Sequence, residues 1–364
     1  MSTVDQRANN FDFVRFLAAF LVIWGHSAAL LGLPITSMWG VAISEMGVMI
    51  FFVLSGYLIT ESWLRDPRLV PFFLKRSLRI FPALIVCVII CACLIGPIVT
   101  SLPIEDYFFS PGFAEFFKNI ALLPRYSLPG VFEQNTYRYA VNGSLWTLPV
   151  EFFCYCSVAA LAVISGRRLF RFTMLATVMV CGADVYFSHF YDGPQIVILD
   201  TGAASAASIM PFFFVGSIFR LVKDRISLRI DIAVIMACAT ALVEYGWPQL
   251  LAFCTWLTVP YITLTFCLHA APLLSKWGRF GDFSYGMYLY AFPVQQSLIY
   301  FARNDLSFGV LCFLTTVLSL ALAWCSWHLI ERRALMLKPG RSPDRVIAGG
   351  GLDRSIVTGY DTPQ

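Results

Sequence analysis

Four side chains stand out because their types can do chemistry and their surroundings make them costly: Arg15, His26, Ser55 and Glu151. His26 lies with Trp24 and Gly25 in FVRFLAAFLVIWGHSAALLGL, an apolar run over residues 13–33 in which Arg15 and His26 are the strongly polar members. On a helix rising about 1.5 Å per residue the two are roughly 16 Å apart. In a bilayer about 30 Å thick, Arg15 then lies at one face and His26 near the middle. An ionisable group at that depth costs several kcal/mol unless it faces a bundle interior or a cavity, so function is the default reading of His26. A packing histidine bonded to a neighbouring helix is the bland alternative. An imidazole near a carboxylate can be a general base held in its useful tautomer, and Glu151 can take the carboxylate's part. A proton pathway, or a buried ion pair with only structural work, fits the same residues.

Such groups need a membrane around them, and the composition supplies one. The 364-residue chain is 58% hydrophobic and 13% charged, with a mean hydropathy of +0.72. Soluble domains carry about twice that charge fraction, so this is an integral membrane protein. A net charge of +4 gives no reason to expect a nucleic-acid partner. The eleven cysteines, among them Cys87, Cys91, Cys93, Cys154 and Cys156, fall mostly inside apolar runs. That placement suits small apolar fillers rather than a disulfide scaffold or a metal site, and no metal is expected. Ser27-Ala28-Ala29 resembles a signal-peptide cleavage site, but the charges before it cancel and many apolar segments follow, so the segment reads as a retained first span.

The expected fold is all-α and polytopic, with about ten transmembrane helices near residues 15–31, 46–59, 81–99, 145–166, 172–187, 203–219, 230–242, 250–268, 283–300 and 308–329. Residues 1–14 form a lead, 15–330 a single membrane body, and 331–364 a tail without packed structure from about residue 338. The span over 46–59 is short for the hydrocarbon, and Pro82 is expected in the first turn of its successor. Residues 101–143 make the longest link, with an interfacial helix expected over 113–122. Placing both termini in the cytoplasm puts all but Lys118, Arg125, Arg138 and Arg303 of the 26 lysines and arginines on that side. Ser55 and Glu151 then sit about 13 Å and about 10 Å down their helices from the outer face, in the same layer as His26. A transporter or flippase of a lipid-linked sugar or small anion is the alternative. It predicts internal repeats and broken helices, whereas no convincing repeat is legible and Pro211 and Pro260 are the only obvious breakers. A non-enzymatic scaffold would require no buried Arg, His and Glu set.

The spacing from Arg15 to His26, FFVLSGYLI at 51–59, KRSLRIFP at 75–82, NGSLWTLPVE at 142–151 and SYGMYLYAFP at 284–293 together resemble the membrane-bound acyltransferase-3 family, in order over roughly residues 10–335. The resemblance implies a multi-pass protein of the bacterial inner membrane. It would move an acetyl, or another short acyl group, from cytoplasmic acetyl-coenzyme A to a carbohydrate hydroxyl on lipopolysaccharide, exopolysaccharide or another exported glycan or glycolipid. Partner proteins of a polysaccharide pathway are conceivable on the same footing. The family's essential arginine and histidine fall on Arg15 and His26, its R-x-x-R on Arg76 and Arg79, its Ser-Gly-Tyr element on Ser55, Gly56 and Tyr57, and its acidic residue on Glu151. Many relatives have histidine where this chain has Ala291. The 35 residues after Leu329 are too few for the SGNH domain that some members carry.

In the reaction so implied, His26 is the base, worth about 10² to 10⁴ in rate, and Glu151 orients it or stabilises its protonated form. Ser55, Tyr288 and Trp146, in that order, are the expected donors to the thioester oxyanion. Arg76 and Arg79, with Arg15 deeper, are the expected clamp on the phosphates of coenzyme A. The bland reading is that Arg76 and Arg79 only enforce topology and that Arg15 neutralises a nearby carboxylate.

Overall fold

A bilayer core offers no water to backbone N–H and C=O groups, so apolar runs of this length close their hydrogen bonds internally as helices. In the computed structural model, which describes residues 9–269 and 274–338, the long helices are α1 (Phe11–Leu30), α2 (Ile43–Arg65), α3 (Leu69–Ile90), α4 (Thr147–Ser165), α5 (Leu169–His189), α6 (Ala203–Leu221), α7 (Ile230–Gly246), α8 (Leu251–Leu268), α9 (Ser284–Phe301) and α10 (Phe308–Ser326). Among the described residues, 8 helices are long and apolar enough to cross a membrane. The 17-residue α7 and the more polar α9, which carries Gln295 and Gln296, run with them. The protein is nearly all helical and polytopic, as the composition requires.

Several boundaries move, with consequences for the site. Helix α2 runs well past both ends of the short span expected over 46–59. Helix α3 starts at Leu69 and passes through Pro82, so the basic block from Lys75 to Arg79 is helical rather than a link. Residues three apart on a helix are neighbours, and Arg76 and Arg79 therefore share a face. A π turn, Cys91–Ile95, carries α3 on to Val99, and a second, Trp327–Glu331, carries α10 on to Met336. The tail expected from 331 thus begins later, and α1 starts inside the expected lead. The stretch of tail from 339, expected to lack packing, lies outside the described residues, as do residues 1–8.

Two helix–hairpin–helix units are built alike. Strands β1 (Ser37–Met38) and β2 (Val41–Ala42) lead into α2, and β3 (Val197–Ile198) and β4 (Thr201–Gly202) lead into α6. Each hairpin turns on two residues with positive φ, Trp39 and Gly40 in one, Leu199 and Asp200 in the other, the geometry that matches strand twist. This correspondence was not legible as a repeat. The units meet where α2 crosses α6, backbone against backbone. A Cβ on Gly56 would fall 1.9 Å from the Phe213 carbonyl oxygen, and one on Gly216 would fall 2.4 Å from that of Val53. Small residues permit such approach between membrane helices, where dispersion rather than water expulsion drives association.

The 101–143 link is ordered. Short helices Ile104–Phe109 and Pro111–Phe116 and a 3₁₀ turn Phe117–Ala121 replace the single helix expected over 113–122. Buried amides tie the link to α9: Asn135 Nδ2 donates to the Gln296 carbonyl at 2.9 Å, Gln296 Nε2 to the Tyr137 and Ala140 carbonyls at 2.8 and 2.7 Å, and Asn142 Nδ2 to the Leu289 carbonyl at 2.9 Å. The end of the bundle holding this link and both hairpins is the loop face. The end holding Arg76 and Arg79 is the basic face.

Candidate active site

Arg15 and His26 are separated by about three helical turns and so lie along one face of α1, yet they open into different cavities. The cavity on the basic side has a volume of about 440 Å³, and Arg15, Ser55, Arg76, Arg79, Glu151 and Tyr288 line it. The cavity on the loop side, about 630 Å³, is lined by His26, Trp146, Phe292, Tyr126, Tyr137 and Arg138, among others. Among the described residues, none lines both.

A thin layer separates them. Trp146 lines the loop-side cavity and Thr147, the next residue, the basic-side one. Tyr288 and Phe292, one turn apart on α9, divide in the same way, about 6 Å apart along the helix. The Tyr288 hydroxyl lies 2.7 Å from Thr147 Oγ1 and donates to the Ser144 carbonyl at 2.9 Å, and Phe51 packs edge-on against its ring at 5.7 Å.

Glu151 does not partner His26. Its Oε1 accepts from Ser55 Oγ at 2.8 Å and from the Tyr155 hydroxyl. The expected orienting bond is replaced by a carboxylate held between α2 and α4 hydroxyls, because depth along two helices says nothing about which way each side chain points. His26 packs edge-on to Phe292 at 5.3 Å. Its Nδ1 is buried with no hydrogen-bond partner among the described residues. One residue further on, Ser27 Oγ accepts from Gln295 Nε2 at 2.8 Å, which fixes α1 against α9 beside the imidazole.

The oxyanion candidates also sort by cavity. Ser55 donates to Glu151, and Tyr288 is engaged with Ser144 and Thr147. Trp146, ranked last from the sequence, faces the same cavity as His26.

At the basic face a network joins four elements. Arg79 donates to Asp282 Oδ2 at 2.6 Å and to Glu331 Oε2 at 3.1 Å, and Arg15 donates to the same Asp282 oxygen at 3.2 Å and to Asp12 at 3.1 Å. The π turn at the end of α10 brings Glu331 inward, where Ser326 Oγ also donates to it at 3.0 Å. Burial alone would raise the Asp282 carboxyl, but Arg79 and then Arg15 outweigh it and hold it at about 2. Asp282, Glu331, Tyr155 and Thr147 are site residues that the sequence alone does not single out. A buried-carboxylate signal existed for Glu331, beside an apolar run, whereas Asp282 sits in a link and gave none.

A family model described as "Acyltransferase domain" matches residues 9–325. The chain is 33% identical over 342 residues to an "O-acetyl transferase" of Shigella phage Sf6, covering 90% of this chain and 96% of that one. It is 29% identical over 358 residues to "Nodulation protein 10" of Rhizobium leguminosarum bv. viciae, covering 91% of this chain and 94% of that one. No solved structure matches it.

Proposed function

The chain belongs to the acyltransferase family whose domain spans residues 9–325, and from that premise we propose that it transfers acetyl from acetyl-coenzyme A, across the layer between its two cavities, to a carbohydrate hydroxyl. The observation that carries this reading is the division of the site. A cation-rich cavity on the basic side suits a phosphorylated donor, and a cavity with a histidine and aromatic rings on the other suits a hydroxylated acceptor. A transporter of small anions would need no histidine in a second, separate cavity.

In the reaction, His26 takes the proton of the acceptor hydroxyl as its oxygen attacks the thioester carbon. The carbon–sulfur bond breaks and the proton passes from the imidazolium to the departing thiolate, leaving an ester and free coenzyme A. The oxyanion forms on the loop side, where Trp146 is the one of the three expected donors that lines the cavity and its indole N–H takes that part. Glu151, Ser55 and Tyr155 serve the donor cavity, and Tyr288 and Thr147 form the layer that the thioester must reach past. The setting is the bacterial inner membrane, with the basic face cytoplasmic and a glycan or glycolipid acceptor presented at the loop face.

Purified protein mixed with acetyl-coenzyme A and a hydroxylated glycan acceptor should release free coenzyme A in proportion to acceptor. Absence of acceptor-dependent release across glycan and glycolipid acceptors would refute the reading. The orientation has its own check. Cysteines introduced at Ser127 and Asp192 should react with an impermeant thiol reagent in intact cells, and one at Ser227 only after permeabilisation. Labelling of position 227 from outside would invert the assignment of faces.

A further inference from the structure

Four cations line the basic-side cavity, Arg15, Arg76, Arg79 and Lys338, and their partners divide them into two pairs. Arg79 and Arg15 are engaged by Asp282, Glu331 and Asp12. Arg76 has no ion pair or hydrogen bond among the described residues, and its Nε is shut off from solvent without a partner. Lys338 arrives from the far end of the chain, beyond α10, and among the described residues no carboxylate pairs with it.

We infer that Arg76 and Lys338 form the anion subsite that grips a phosphate group of the donor, and that Arg79, with Arg15, is a positioning residue clamped by carboxylates rather than a ligand. The inference rests on reading the basic-side cavity as the donor site. It separates the two arginines of the R-x-x-R, which the sequence presents as equals.

The physical reason is charge balance. A guanidinium facing two carboxylates has its charge compensated within the fold, and lending it to a ligand means breaking bonds already made. An unpartnered guanidinium N–H in a half-buried cavity gains a charge-assisted bond when an anion arrives and breaks no hydrogen bond or ion pair to do so. Lys338 adds to this. Lys338 is exposed at the cavity rim, and partial loss of hydration, followed by repulsion from Arg76, Arg79 and Lys75, lowers its ammonium to about 8. An anion placed among these groups relieves that repulsion. Arg79 meanwhile ties α3 to the end of α10 and to the link before α9, and its guanidinium lies 5.4 Å from the centre of the Tyr285 ring.

The test uses the full-length protein in detergent, with acetyl-coenzyme A, S-acetylpantetheine, which keeps the thioester but lacks the phosphates, and inorganic pyrophosphate. Arg76→Gln should bind acetyl-coenzyme A about tenfold or more weakly and S-acetylpantetheine unchanged, with Lys338→Gln smaller in the same direction. Arg79→Gln should lower the thermal midpoint and affect both thioesters alike. Pyrophosphate should raise the midpoint of wild type and of Arg79→Gln, but not of Arg76→Gln. Selective loss of the phosphate-bearing donor in Arg79→Gln, with Arg76→Gln binding like wild type, would overturn the division of labour. If wild type binds neither thioester, the donor reading fails, and the pyrophosphate arm still decides the subsite: an equal response in wild type and Arg76→Gln, or none in either, overturns it.

Discussion

His26→Ala is expected to lower acetyl transfer about 10² to 10⁴-fold at matched amounts of folded protein, the range for losing a positioned general base. Donor binding should stay close to wild type, because His26 lines the loop-side cavity and the groups proposed to hold the donor line the other. Trp146→Phe keeps an aromatic ring in the wall and removes only the indole N–H, so it should lower turnover by about 10²-fold without raising the donor KM. Glu151→Gln should act differently, through the donor KM, since Ser55 and Tyr155 are its partners. An orienting bond between Glu151 and His26 would make the defects of the double variant less than additive. With no such bond, they should add. Near-normal turnover in His26→Ala would sink the mechanism, and a sub-additive double variant would restore the partnership that the geometry denies.

Gly56→Ala is expected to be the most damaging single methyl in the membrane body. The added Cβ would meet the Phe213 carbonyl oxygen at 1.9 Å, and this contact is backbone that cannot rotate away. Overpacking of a tight core costs about 1 to 3 kcal/mol even where side chains can adjust, so this crossing should exceed that range. The readout is the thermal midpoint, and the yield of monodisperse protein, after purification. Gly182→Ala is the matched control, because nothing lies within 4 Å of its Cβ position and alanine is the better helix former. It should be neutral or mildly stabilising. A wild-type midpoint for Gly56→Ala would mean that α2 and α6 do not cross this closely.

Much of the architecture could be read from residue order alone because its causes are local. Hydrophobic run length decides which segments become helices, and helical rise alone places Arg15 at one face and His26 near mid-depth along α1. The asymmetry of Lys and Arg separates the basic face from the loop face. The candidate residues were also visible, since each is a polar side chain in or beside an apolar run. Their partnerships were not. Rise gives one coordinate, depth, and on that coordinate Glu151 and His26 coincide. The other two coordinates come from helix rotation and from neighbours distant in sequence. The approach of α2 to α6 through Gly56 and Gly216 accompanies Ser55 and Tyr155 closing on Glu151. The start of α3 at Leu69 put Arg76 and Arg79 on a helix, and the π turn after α10 brought Glu331 to Arg79. Composition therefore determined that this is a membrane protein with a histidine at depth. Only tertiary packing, which orients side chains around each helix axis, decided that the histidine and the carboxylate line separate cavities.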